Sequence, residues 1–153
     1  MSKSETAAML KAMSSQWKIE LPKIKNLKVY EITDKDTIIT GNSLVAIKAG
    51  ETYLPLLSEI SLLEKFPRVV VDMGAVKFVC NGANVMRPGI TRFSEFEKSQ
   101  IVCVVEESQN KYLATGKSLL SSTDAEASTK GEVVKTMHYI SDKFWEARKE
   151  IKE

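Results

Sequence analysis

The sequence is poor in the side chains that carry most enzyme chemistry: one histidine and two cysteines occur among 153 residues. Cys80 and Cys103 lie in VKFVCN and IVCVVEE, with neither CxxC spacing nor a histidine nearby. They predict buried thiols, not metal ligands, a disulfide framework or nucleophiles. His138 has no carboxylate pair and no Ser or Cys partner picked out by spacing, so it reads as a structural residue. No catalytic residue, no metal site and no cofactor are expected. No apolar run reaches the 18 residues of a membrane span, and the opening MSKSETAAML lacks the apolar stretch of a secretory signal. No membrane contact and a cytoplasmic, reducing location are therefore expected. Repeats and low-complexity segments are absent as well. Charge of one sign is also lacking, since 22 basic against 20 acidic residues leave a formal +2. That excludes a protein that coats nucleic acid by charge alone, and any anion site must be local.

What is there is an ordinary globular chain, 43% hydrophobic and 27% charged, long enough for one domain or two small ones. Its basic residues are unevenly typed. Up to Phe66 there are nine, all lysine, against eight acidic residues; beyond it there are thirteen against twelve, including Arg68, Arg87, Arg92 and Arg148, the chain's four arginines. The planar fork of arginine suits phosphate better than lysine does.

Ala8, Met9, Ala12, Met13 and Trp17 recur at helical spacing, which predicts a helix over 4–17 with Ser4 or Thr6 as its cap. Residues 28–32 alternate like a strand. Residues 37–40 and 43–47 predict a hairpin turning at Gly41-Asn42, and a second turn at Gly50-Glu51 leads into 52–54. Pro55 introduces a further helical pattern that Pro67 stops after Phe66. From Pro67 the pattern changes. The β-branched run 68–72 reads as a buried strand, Asp72 is placed to cap a helix beginning near Gly74, and Asn81-Gly82 closes that helix. An extended stretch over 83–90 turns at Pro88-Gly89. Strands follow at 100–105, 112–119 and 132–138, with a short helix over 122–128 capped by Ser122 or Thr123. Residues 146–153 alternate in charge and read as a solvated helical extension or a frayed tail.

Glycines at 74, 82 and 89 keep side chains out of the way of an approaching phosphate backbone. Lys77 and Arg87 can then meet one ribose-phosphate track, while Met86 and Ile90 offer apolar surface to a base or sugar. Taken alone, such glycines are more often plain turn chemistry.

The run VVDMGAVKFV followed by NGANVMRPGI, over 70–90, resembles the signature of the PUA domain, an RNA-binding pseudobarrel of pseudouridine synthases, archaeosine transglycosylases and translation factors. YLATGKSLLSS (112–122), KGEVV (130–134) and HYISDKFW (138–145) match in order, so the likeness covers about half the chain. The HY-x-x-D-x-x-W ending and the LLEKFP that closes the first part look specifically like the archaeal relatives of the malignant-T-cell-amplified-sequence translation factors. The resemblance implies an α+β protein: a small mixed α/β N-terminal domain (1–66), a PUA pseudo-β-barrel with short helices (67–145) and a C-terminal tail (146–153). It further implies an RNA-facing surface of Gly74, Ala75, Lys77, Gly82, Ala83, Met86, Arg87, Pro88, Gly89, Ile90 and Arg92. Asp72, His138 and Trp145 are expected to serve the structure, the last two by closing the barrel. Two positions depart from the family pattern. Met73 stands where a charged residue is common, and either packs under the first domain or weakens a contact; Asn84 stands where Asp is common.

The function so implied is a non-catalytic RNA-binding protein of the translation apparatus, whose partners are structured RNA (a tRNA acceptor end or rRNA) and, through the first domain, the small ribosomal subunit or a translation-factor partner. The alternatives are an accessory subunit of an RNA-modification enzyme and a protein-protein adaptor on a PUA fold.

Overall fold

The protein is described from a computed structural model over residues Met1–Ile151. Helix α1 (Lys3–Trp17) starts at Ser2, whose hydroxyl accepts from the Glu5 N–H at 3.1 Å and donates to the Glu5 carboxylate. This Ser2 cap sets the start ahead of the Ser4 or Thr6 that the periodicity suggests. The helix packs on an antiparallel meander of β1 (Lys28–Glu31), β2 (Asp36–Gly41), β3 (Leu44–Ala49) and β4 (Thr52–Pro55). Gln16 clasps β4 by donating to the Glu51 carbonyl and accepting from the Tyr53 N–H, and the Trp17 indole donates to the Tyr53 carbonyl at 2.8 Å. The first hairpin turns one residue later than its sequence suggests: Gly41 pairs with Leu44, and the loop is Asn42-Ser43, with Asn42 at φ 51°. The turn at Gly50-Glu51 lies where it was expected.

Helix α2 (Ile60–Leu63) is four residues, far shorter than the pattern over 56–66 predicts. Leu56, Leu57 and Phe66 are buried, but as anchors on either side of a single turn. Their apolar character reflects tertiary packing, and a helix-like spacing arises from it without a helix.

The second half forms a six-stranded sheet in the order β6-β10-β9-β8-β5-β7, made of β5 (Arg68–Val71), β6 (Val85–Met86), β7 (Ile90–Phe93), β8 (Ile101–Glu106), β9 (Tyr112–Ser118) and β10 (Glu132–Tyr139). All pairings are antiparallel except β5 with β8. The strand β7 lies within and beyond the stretch read as merely extended. Helices α3 (Met73–Val79), α4 (Ser122–Ala127) and α5 (Lys143–Glu150) complete the chain. The α4 cap is Ser121, one residue before the expected Ser122 or Thr123. Asp142 caps α5, which runs across the 145/146 position; the end of the expected tail, 152–153, lies outside the described residues.

Alternate residues of β5 and β8 feed two cores. Val69, Val71, Val102 and Val104 face the core inside the six-stranded sheet. Val70, Ile101, Cys103 and Val105 join Trp17, Leu54, Leu63 and Phe144 in the other. Residues 69–71 and 101–105 are apolar without interruption because both faces are buried there. The second core therefore draws on residues from both sides of 66/67. Polar links reinforce it: the Leu57 N–H donates to His138 Nε2 at 3.1 Å, the Lys143 ammonium pairs with Asp36, and Lys18 pairs with Glu97. Cys103 is buried as expected, which pushes its thiol up to about 12, whereas Cys80 is only half-buried.

Candidate nucleic-acid interface

Asp72 organises the start of α3. Its carboxylate accepts from the Ala75 N–H at 2.9 Å, and its own N–H donates to the Gly89 carbonyl at 2.9 Å. The first contact caps the helix; the second ties it to the turn Arg87–Gly89 that follows β6. At the far end, the Ala83 N–H donates to the Phe78 carbonyl, and Gly82 holds φ 89°, a conformation that disfavours any side chain. The ring of Tyr139 fills the space beside Gly82, 2.9 Å from where a Cβ would stand. Gly82 thus serves the packing behind the helix and takes no part in the surface in front of it.

Between α3 and the β6 turn lies a cleft of about 640 Å³. Gly74, Ala75, Ala83, Met86, Pro88 and Gly89 of the expected surface line it, joined by Phe78, Val79 and Val85, and Asp72, Asn84 and Glu132 supply its polar atoms. Its apolar walls are open to water: Phe78 is 63% exposed and Met86 47%. With the other apolar lining residues, the exposed Phe78 and Met86 form a contiguous apolar patch. Phe78 was absent from the residues expected of this surface. The sequence does contain a signal for it, because Phe78 lies four residues after Gly74 and three after Ala75, on the same side of the helix as these two cleft residues.

No lysine or arginine lines the cleft. Lys77 is exposed on α3 next to Phe78 but outside the lining residues. Arg87 is turned inward: its Nε donates to the Ala125 carbonyl at 2.7 Å, Nη1 reaches the Ile90 carbonyl, and the guanidinium lies 5.6 Å from the Phe93 ring centre. It ties the turn to α4. Ile90 is buried in the sheet core, and Arg92 projects from β7 away from the cleft lining. Met73 is half exposed at the start of α3, so it does not pack under the first part of the chain. Asn84 has a specific use for its amide: Nδ2 donates to the Glu132 carboxylate at 2.9 Å, while Oδ1 accepts from the Thr136 N–H at 3.1 Å. An aspartate there would face Glu132 with no proton to donate.

His138 is fully buried. Its Nε2 accepts from Leu57, so the ring proton sits on Nδ1 and is donated to Asp142 at 2.9 Å. Burial raises the Asp142 carboxyl, but the hydrogen bonds from His138 and from the Trp145 and Tyr139 N–H groups outweigh it and hold it below the usual range. Trp145 packs partly buried against the shared core. None of these groups reaches the cleft. No cluster of three or more His, Cys, Asp or Glu suited to a metal ion occurs among the described residues, and no helix among them is long and apolar enough to cross a membrane.

Residues 67–140 match the PUA domain. An uncharacterized protein of Methanocaldococcus jannaschii is 34% identical over 82% of this chain and 78% of its own length. Translation machinery-associated protein 20 of Eremothecium gossypii is 33% identical over 82% and 74%. Malignant T-cell-amplified sequence 1 of Danio rerio is 30% identical over 82% and 73%. Among solved structures, a hypothetical protein of Pyrococcus horikoshii aligns over 96% of each chain at 31% identity, with a TM-score of 0.78. This chain is thus a PUA-domain protein, and it belongs to the family of malignant T-cell-amplified sequence 1 and translation machinery-associated protein 20.

Proposed function

We propose that this protein is a non-catalytic RNA-binding factor of the translation apparatus, acting in the cytoplasm, in which residues 67–145 hold structured RNA and residues 1–66 dock on the small ribosomal subunit or a partner protein. The observation that carries the reading is the open apolar cleft with Phe78 and Met86 exposed in its walls. The names of the translation-associated relatives supply the setting.

The cleft chemistry refines what it would hold. Carboxylates at Asp72 and Glu132 and the absence of a lining cation repel a phosphate. A flat, neutral group suits it: an unpaired base, at a tRNA acceptor end or in an rRNA loop, stacks on Phe78 and Met86 while its exocyclic amine donates to a carboxylate. Phosphates then lie at the rim, where Lys77 stands, and Arg87 holds the cleft wall.

Fluorescence anisotropy with total tRNA and small-subunit rRNA, titrated with salt, tests this. Binding is expected to weaken as salt rises, and Lys77→Ala to reduce the slope by about 1. Phe78→Ala is expected to weaken binding by about 1–3 kcal/mol at an unchanged salt slope, with an unchanged melting temperature because the ring is exposed. Absence of binding to either RNA at low salt would overturn the proposal. The cation-free lining also favours a second reading, an adaptor that seats an apolar peptide side chain, and that reading requires Phe78-dependent protein binding without RNA.

A further inference from the structure

Strand β7 is an edge of the six-stranded sheet, and it leaves the cleft directly: Pro88 and Gly89 line the cleft, and Ile90 begins the strand. Three residues beyond Gly89, past a bulge that sets Ile90 opposite Val71 and Arg92 opposite Val70, stands Arg92. Val70 of β5 pairs with Arg92, and Arg68 lies two residues before Val70, so both arginines project from the same face. Together they line a hollow of about 280 Å³ with Val70, Phe93, Ser94 and Asn110.

The two guanidiniums are held differently. Arg68 is positioned by Tyr112: its Nη2 donates to the phenol oxygen at 2.7 Å, with Cζ 5.2 Å from the ring centre. Its backbone is fixed to the edge by the Arg68 N–H on Ser94 Oγ at 2.8 Å and the Ser94 N–H on the Arg68 carbonyl at 3.0 Å. Arg92 is exposed and, among the described residues, its guanidinium makes a long 3.4 Å contact to Asn110 Oδ1. Asn110 sits in a turn at φ 55°, and the Glu106 carboxylate pins that turn by accepting from Ser108, Gln109 and Lys111. Among the described residues no carboxylate pairs with Arg68 or Arg92, and none lines the hollow. Two arginines sharing a hollow without a counter-ion, one already oriented by an aromatic, form a site for an oxyanion with forked geometry.

We propose that Arg68 and Arg92, assisted by the Asn110 amide, clamp a phosphodiester of the RNA whose unpaired base occupies the cleft, with β7 setting the distance between the two contacts. The inference rests on the RNA reading above. It divides labour: the cleft takes a base and repels phosphate, and the hollow, whose charged lining is arginine alone, takes phosphate. Continuity of the hollow with the cleft along one strand favours nucleic acid over an acidic peptide, which needs no neighbouring base site.

The test uses the full chain and a hairpin RNA with an unpaired 3′ tail of about four nucleotides. Arg92→Gln and the Arg68→Gln/Arg92→Gln pair are compared with Phe78→Ala. The single variant is expected to lower the salt slope by about 1 and the pair by about 2, whereas Phe78→Ala lowers affinity at an unchanged slope. Replacing tail phosphates one at a time by neutral methylphosphonates is expected to remove the effect of Arg92→Gln at one position only. Arg92 is exposed, so this single variant keeps the test valid if Arg68→Gln fails to fold. If the wild type binds the hairpin and Arg92→Gln leaves both slope and affinity unchanged, the clamp is wrong and the RNA reading stands. If the wild type binds no RNA at low salt, the RNA reading fails, and the clamp with it. Arginine-dependent binding of a poly-glutamate peptide in place of the hairpin would assign the hollow to a protein partner and overturn the proposal.

Discussion

His138→Ala is expected to lower folding stability by about 3–5 kcal/mol, the range for removing one partner from a buried, charge-assisted network. The imidazole is fully buried and joins three parts of the chain. Its Nε2 accepts the Leu57 N–H from the segment after β4, its Nδ1–H is donated to Asp142, and its ring meets Phe144 edge-on at 5.8 Å. Alanine leaves a buried N–H and a buried carboxylate each short of a partner, and adds a cavity beside Phe144. Asp142 also caps α5 through the Trp145 N–H, so the loss extends to the helix that packs on the shared core. A pH signature accompanies it. The folded-state carboxyl of Asp142 is depressed, so its contribution is present above the unfolded value of about 4 and is lost as pH falls through the folded one. Wild-type stability is expected to fall on acidification in that window, and the variant to lose much of that slope because the His138 donor is gone. Urea unfolding followed by far-UV circular dichroism at pH 7 and below pH 4 reads both effects; a loss under about 1 kcal/mol would refute the network's importance.

The elements legible in the sequence are those whose cause is local. Asp72 capping α3, the Gly50-Glu51 turn and the apolar runs of β5 and β8 each follow from a few adjacent residues. Where the cause is distant, local reasoning misplaces it. Leu56, Leu57 and Phe66 imitate a helix because burial in the shared core requires them to be apolar. Strand β7 is a short edge with two exposed residues, Thr91 and Arg92, and has no periodicity to detect. The candidate site divides in the same way. Glycines and Met86 mark the cleft from sequence, but the Arg87 guanidinium is taken by a carbonyl 38 residues away. The pairing of Arg68 with Arg92 depends on a strand register, which no spacing along the chain conveys. Asn84 and Glu132, 48 residues apart, explain each other only once β6 and β10 are adjacent.

Gly116→Ala is the substitution expected to couple stability to binding. A Cβ at this position of β9 would stand 2.1 Å from the Lys135 carbonyl oxygen and 3.0 Å from its carbon, both backbone atoms of β10. No rotamer change relieves that contact, so the strands must separate. The register explains why β10 leans in: Gly116 pairs with Thr136, and a bulge at Met137 shifts the next pair to His138 with Thr115. The bulge is what brings His138 into the core after the half-buried Thr136 and Met137. Over-packing that only a backbone shift can relieve costs about 3 kcal/mol, the upper end for an added methyl group. Strand β10 also carries Glu132 at the cleft end and the Thr136 N–H that fixes Asn84. Displacing it is therefore expected to weaken RNA binding as well, whereas Phe78→Ala affects binding alone. Amide hydrogen exchange separates the two cases: Gly116→Ala is expected to lower protection across β9, β10 and β6 together, and Phe78→Ala to leave it unchanged. Wild-type protection in Gly116→Ala would mean that β10 takes the methyl group without moving, and the tie between this bulge and the cleft would then be broken.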